Sequence, residues 1–194
     1  MASLLQRMLV PSLPAAGGGG SILPVITNGQ VTSYTVEASG QYYINTPNLA
    51  VLGGGGQGAT GTITLNASGG IASVTPVNLG SGFVSVPQAF ITPVLSLADH
   101  QVFQAQTSGI LTAVVHSCTF CNYDPSGAVH PIWVQLMNQA QTEMAQIGAG
   151  TPVVFGTTLT SRDFTLNMEP GDYLLMATDY PGCVSCTINY VNKS

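Results

Sequence analysis

GGGGQGATGTITLNASGGIASVTPVNLGSGFVSVP, the stretch from Gly53 to Pro87, decides the fold class. It reads as strand, turn, strand, turn, strand. In Thr60-Gly61-Thr62-Ile63-Thr64-Leu65 the apolar Ile63 and Leu65 alternate with Thr62 and Thr64, the two-residue period of a half-buried strand. Asn66-Ala67-Ser68-Gly69-Gly70 supplies residues that accept positive φ or bond their own backbone, so the chain reverses there. Ile71-Ala72-Ser73-Val74-Thr75 resumes the alternation.

Working outward, the stretch is part of an internal repeat with a period of about 40 residues. That shift lays Val31-Thr32-Ser33-Tyr34-Thr35 over Ile71-Ala72-Ser73-Val74-Thr75, Gly40 over Gly80, Tyr43-Ile44 over Phe83-Val84, Pro47 over Pro87 and Val51 over Ile91. A third, fainter echo places Gly17 to Gly20 before Ile22-Leu23-Pro24-Val25-Ile26, as Gly53 to Gly56 precede the central strand. The recurring pattern, an aliphatic-x-Ser-x-Thr segment, a glycine, an aromatic and a proline with a GGGG-x-GA-T segment between copies, resembles a glycine-rich β-repeat of tailed-bacteriophage structural proteins. The resemblance covers about the first half of the chain and implies a place in a virion; fibres, tail parts and head proteins share the repeat.

Composition narrows the function. Charged residues make up 6% of the 194, and the cations are Arg7, Arg162 and Lys193 alone. A domain normally carries about a quarter charged residues, so Ser, Thr, Asn, Gln and backbone cover this surface and offer little charge repulsion against association. A net charge of −5 with three scattered cations leaves no basic patch to neutralise phosphates, which argues against nucleic acid as a partner. Apolar runs are broken by Gly, Pro and Thr well short of the ~20 residues of a spanning helix, so no membrane span is expected. Met1 to Leu13 has Arg7 inside its apolar stretch and lacks a proper signal core, so it is read as retained. With Pro11, Pro14 and Gly17 to Gly20 behind it, residues 1–28 read as an extended N-terminal arm on a flexible linker, suited to docking on a neighbouring subunit.

Beyond Pro93 glycines thin out, placing a boundary near Leu95 to Gln101 and dividing the remainder into a β-repeat module, 29–94, and a second module, 95–194. Ile110 to His116 reads as a buried strand ending at a turn region from Cys118 to Ser126. Trp133, Met137, Ala140, Met144 and Ile147 fall at helical spacing, but Ile132, Val134 and Leu136 alternate. Ile132 to Met137 is therefore taken as a strand and Asn138 to Gly150 as a long connection with room for a short helix. Short strands follow at Val153 to Phe155, Phe164 to Leu166, Tyr173 to Met176 and Thr187 to Val191, with turns at Gly156 to Ser161, Glu169 to Asp172 and Tyr180 to Gly182, the pattern of an antiparallel sandwich. The succession IWVQLMN, TPVVFGTTL, FTLNMEPGDYLLMAT, TINYV is similar to a small β-sandwich of phage structural proteins. The expected fold is thus all-β.

The chemistry-bearing residues are few. All four cysteines lie in two C-x-x-C pairs, Cys118/Cys121 and Cys183/Cys186. Two such pairs at turns have the spacing of a structural zinc site; two disulfides or four free thiols are the other readings. His100, His116 and His130 are read as hydrogen-bonded structural residues, His116 with the option of a spare ligand. Asp163, Glu169 and Asp172 cluster near sandwich turns, where solvated turn acids are favoured over a calcium site. There is no G-x-S-x-G segment, no phosphate loop after Gly53 to Gly56 and no catalytic set, so no enzyme is expected. Joined to the resemblance, these features point to a capsid decoration or cement protein that binds the major capsid protein, in symmetric oligomers with a trimer as first guess. The alternative is a host-receptor or glycan-binding module of a tail fibre or tail tip, with Tyr42, Tyr43 and Phe83 stacking on sugar rings.

Overall fold

The computed structural model describes residues 5–105, 112–161 and 165–193. The fold is all-β, and the chain divides into two units: Ala16–Val94 is one, and the residues before and after it form the other. Strand β1 (Leu5–Val10) belongs to the latter. The glycine-rich unit holds β2 (Gly18–Thr27), β3 (Gln30–Gln41), β4 (Asn48–Leu52), β5 (Gln57–Leu65), β6 (Ile71–Ser81) and β7 (Gln88–Thr92).

Its repeat has two copies of three strands, not three echoes: β2 is the counterpart of β5, and each opens its own copy. β2 pairs with β3 and β5 with β6, and the pairing register slips at matching places, Ser21/Ile22 and Val25/Ile26 in one copy, Thr60/Gly61 and Thr64/Leu65 in the other. The first hairpin turns at Asn28-Gly29, both at positive φ, the conformation whose twist suits a two-residue hairpin. β4 and β7 pair antiparallel with the equivalent residues Ala50 and Phe90 opposite each other, so a local twofold axis passes between them. Hydrogen bonds obey the same axis. Tyr43 N–H donates to Gly69 O at 2.9 Å, and Phe83 N–H donates to Gly29 O at 3.1 Å. Each aromatic therefore caps the hairpin of the other copy. Tyr43 is buried beside Ile63, Ile71 and Val74, while Phe83 is buried with Val31 and Ala59. A Cβ on Gly56 would lie 2.5 Å from the Phe83 ring, so this position of the glycine run is fixed by the aromatic packed over it. The stretch from Gly53 to Pro87 holds two strands and not the three expected: Phe83 to Pro87 is a connection, because Phe83 turns inward as a plug and pairing restarts at Gln88.

The second unit continues with a four-residue helix α1 (Leu97–His100), then β8 (Gln101–Gln104), β9 (Thr112–Asn122), β10 (His130–Met137), β11 (Glu143–Val153), β12 (Thr158–Ser161), β13 (Leu166–Met168), β14 (Tyr173–Thr178) and β15 (Val184–Lys193). One sheet runs β1-β15-β9-β12, with β13 also on β9; the other runs β11-β10-β14-β8, and every pairing is antiparallel. Val115, Cys118, Phe120, Cys186 and Ile188 from the first sheet meet Ile132, Val134, Leu136, Leu174 and Met176 from the second in one apolar core. Burying each large aliphatic side chain there is worth roughly 1.5–3 kcal/mol. Phe103 and Tyr190 close the core edge to face, 4.7 Å between ring centres.

Several expectations are corrected. The segment read as a free arm, 1–28, is not one: Leu5–Val10 pairs along β15 from Leu5↔Val191 to Val10↔Cys186, Leu13 is fully buried, and the glycines of the supposed linker lie in and beside β2. Backbone pairing and Leu13 burial outweigh the freedom that the Pro and Gly content suggests. The connection expected over Asn138 to Gly150 is largely β11, which pairs with β10 through three register shifts; most of its residues are small or polar and Met144 is exposed, so no alternation marks it. The strand expected to end at His116 runs on to Asn122, and Thr158–Ser161, expected as turn, pairs with β9. Ile110, Leu111, Asp163 and Phe164 lie outside the described residues.

Candidate functional site

The four cysteines do not converge. Cys118 and Cys121 lie inside β9, and side chains three apart on a strand point to opposite faces. Cys118 is accordingly buried in the core and Cys121 half-buried on the outer face. Cys186 is buried in β15, and its thiol hydrogen-bonds that of Cys118; this contact and burial push the Cys186 thiol far up. Cys183 stands apart in the turn before β15, its Sγ 3.7 Å from Pro181 O. No disulfide joins any two of them, and the four sulfurs do not meet as the expected four-sulfur zinc site, because the first C-x-x-C pair is strand and not turn.

The titratable groups that do gather are at the end of the sandwich where the β9–β10 loop meets the β14–β15 loop. His130 begins β10 and is 4% exposed. Its Nε2 lies 2.8 Å from Asp124 Oδ2 and its Nδ1 lies 2.7 Å from Asp179 Oδ1. Asp124 comes from the first loop and Asp179 from the second. Local hydrogen bonds set both. Asn122, buried at the end of β9, donates from Nδ2 to Ala128 O and Val153 O, both at 2.8 Å, and accepts Asp124 N–H at 3.0 Å. Ser126 donates its backbone N–H to Asp124 Oδ1 at 2.9 Å and its hydroxyl to Oδ2 at 2.7 Å. Gly127, at positive φ, closes this turn with an N–H bond to Asp124 O. Thr178 Oγ1 lies 3.0 Å from Pro131 O and 3.1 Å from Asp179 Oδ1, steadying the second carboxylate.

The segment after β1 straps the same end. Tyr123 hydroxyl donates to Pro11 O at 3.1 Å, Gly182 N–H to Ser12 Oγ at 3.1 Å, Leu13 N–H to Val184 O at 2.8 Å and Thr178 N–H to Pro14 O at 3.0 Å. Tyr123 N–H also donates to Cys183 O at 2.9 Å, tying the two loops directly. A hollow of about 340 Å³ opens beside the cluster, lined by Asp124, Ser126, Ala128, His130 and Tyr180.

Electrostatics follow from this geometry. Burial opposes a charge on His130, but the hydrogen bonds and charges of Asp124 and Asp179 outweigh it and raise the imidazole above its ordinary 6.5. The Ser126 hydroxyl, His130 and the Ser126 amide hold Asp124 down at about 2. Burial, and then the fields of Asp124 and Asp179, push the Cys183 thiol up, so it is not an activated nucleophile. Asp124, His130 and Cys183 each present a ligand atom, all within 4.8 Å of one another. Of the residues singled out in the sequence, Cys183 and His130 belong to this cluster; Asp124 and Asp179 were not recognised, since only the fold brings their loops together.

The remaining candidates are structural. His100 is fully buried, accepts Ser96 N–H on Nδ1 at 3.0 Å and so donates from Nε2 to Ala15 O at 3.2 Å. His116 is exposed on β9. Asp172 is buried and accepts Glu169 N–H at 2.9 Å, closing its own turn; Asp163 lies outside the described residues.

No family model matches the chain, and no curated protein matches it. Among solved structures, the chain aligns with the one titled "Structure of infectious bursal disease virus Gx strain" at 11% identity and a TM-score of 0.21, covering 97% of this chain and 75% of that one. The counterpart of the Gt strain gives 11% identity and a TM-score of 0.20, over 99% and 77% of the two chains. Likeness at that level carries no argument about fold or activity.

Proposed function

We propose that this chain is a structural, non-enzymatic component of a tailed-phage virion, a capsid decoration or cement protein that binds the major capsid protein and stabilises the head. Assembly takes place in the host cytoplasm, and the subunits associate symmetrically, as a trimer in the simplest case. The observation that carries this reading is the surface of the glycine-rich unit. Between Ala16 and Val94 the only charged side chain is Glu37, which accepts the Ser21 hydroxyl at 2.9 Å. Leu52, Val77, Val84, Val86 and Phe90 are exposed on the same unit, with Val84 at 87%. Such a surface packs against a partner at roughly 25 cal/mol per Å² of apolar area with almost no ion to desolvate, a step that otherwise costs several kcal/mol per charge. Its three two-stranded sheets also leave strand edges for a neighbour to cover.

The glycan-binding alternative loses two of its three aromatics, since Tyr43 and Phe83 are buried plugs at 5% and 4% exposure and offer no face to a sugar. The test is heat challenge of particles assembled without this protein, with and without purified protein added back. The expected result is rupture at lower temperature than complete particles and recovery on addition. Equal robustness combined with failure to adsorb to cells would instead support the adhesin.

A further inference from the structure

Two carboxylates on one imidazole need a positive charge between them. Asp124 Oδ2 and Asp179 Oδ1 face opposite nitrogens of His130 at 2.8 and 2.7 Å, while a neutral ring has a single N–H to share. A second proton on the ring meets that need; so does a cation in place of the Nε2 proton. Cys183 Sγ, within 4.8 Å of both its neighbours' ligand atoms, makes the second arrangement a donor set of one sulfur, one nitrogen and one oxygen. We propose that Asp124, His130 and Cys183 bind one zinc ion at this end of the sandwich, with Asp179 as the outer carboxylate that holds His130 Nδ1–H.

The geometry is close to what the ion requires. Bonds of about 2.0–2.3 Å in a tetrahedron set ligand atoms roughly 3.3–3.6 Å apart. Asp124 Oδ2 and His130 Nε2 therefore part by about half an ångström, and Cys183 Sγ draws in by little more than about one. The surroundings already have the form that orients metal ligands: Asp179 fixes the ring from behind, and Ser126 fixes the Asp124 carboxylate through both oxygens. The adjoining hollow leaves room for water as a fourth ligand. A thiolate with an imidazole selects zinc over magnesium or calcium, which take oxygen ligands. On binding, the Nε2 proton and the Cys183 thiol proton leave to solvent, and the ion reverses the repulsion that the carboxylates exert on the thiolate. The bound ion then clamps the β9–β10 loop to the β14–β15 loop.

The test uses the full chain, kept reduced, stripped with chelator and titrated with cobalt(II), then zinc. The expected result is one cobalt per chain with a sulfur-to-metal charge-transfer band, displaced by zinc. Cys183→Ser abolishes the band, Cys121→Ser leaves it intact, and Asp179→Asn weakens zinc binding about 10–100-fold. A wild-type titration without the band, a band that survives in Cys183→Ser, or unchanged affinity in Asp179→Asn overturns the proposal. Should Cys183→Ser fail to fold, thiol labelling of the wild type decides: zinc must protect Cys183 from alkylation, and equal labelling with and without zinc refutes the site.

Discussion

Gly80→Ala isolates the steric logic of the repeat. Gly80 sits in β6 at φ +63, and a Cβ there would lie 2.5 Å from Gln57 O and 2.6 Å from Ala59 N, both backbone atoms of β5, and 2.9 Å from the Phe83 ring. An alanine at positive φ costs about 1–2 kcal/mol, offset by about 0.4–1 kcal/mol from the less flexible unfolded chain. Reaching ordinary contact near about 3.5 Å forces the two strands apart by roughly an ångström. That weakens the ladder around Gln57↔Ser81 and Ala59↔Leu79, at about 1 kcal/mol per hydrogen bond. The total is about 2–4 kcal/mol. Gly53→Ala is the control: its φ is +84, yet no atom lies within 4 Å of the added Cβ, so only the backbone term of about 1 kcal/mol applies. Hydrogen exchange followed by mass spectrometry in peptides spanning 57–81 reads the difference. Gly80→Ala should accelerate exchange about 30-fold or more, and Gly53→Ala by less than about 10-fold. Equal effects in the two variants would refute the close approach of β5 and β6 as the reason for the glycine.

Other expected outcomes are as direct. Removing residues 1–13 strips β1 from β15 and unburies Leu13, so the truncated chain should lose at least about 2–3 kcal/mol in denaturant titration; unchanged stability would restore the free-arm reading. Leu174→Ala, at a fully buried site facing the opposite sheet, should cost about 2–5 kcal/mol by the same assay. With chelator present, the raised pKa of His130 contributes stability that is complete below its ordinary 6.5 and is lost as pH rises through the folded value. Asp124, held near about 2, contributes above its ordinary 3.8 and loses that contribution as pH falls toward 2. His130→Gln should therefore flatten the alkaline limb of the stability profile, and a profile identical to wild type would show that the two carboxylates do not act through the imidazole.

Local pattern carried much of this architecture, and long-range pairing hid the rest. The repeat was legible because its glycines, plug aromatics and β-branched residues each answer a local demand, a turn, a cap or an inward position. Ile132, Val134 and Leu136 alternate because one face of β10 is core and the other is not. Leu5–Val10 gave no such sign: its partner β15 lies at the far end of the chain, and its residues alone read as an apolar tail. β11 was obscured because Ala, Gly and Gln at a sheet edge show no contrast between faces. The C-x-x-C spacing misled for one reason: it implies a metal site only at a turn, and following β9 to Asn122 puts Cys118 and Cys121 on opposite faces. From the sequence His130 reads only as a hydrogen-bonded structural residue, because its two carboxylates and Cys183 arrive from separate loops, and no spacing announces such a meeting.

The central claim, a head cement protein with a charge-poor binding unit, is tested most directly by counting. Quantitative mass spectrometry of purified virions, with heads separated from tails, measures copies of this chain against the major capsid protein. Several hundred copies in the head fraction is the predicted result; a dozen or fewer, recovered with the tails, would contradict it.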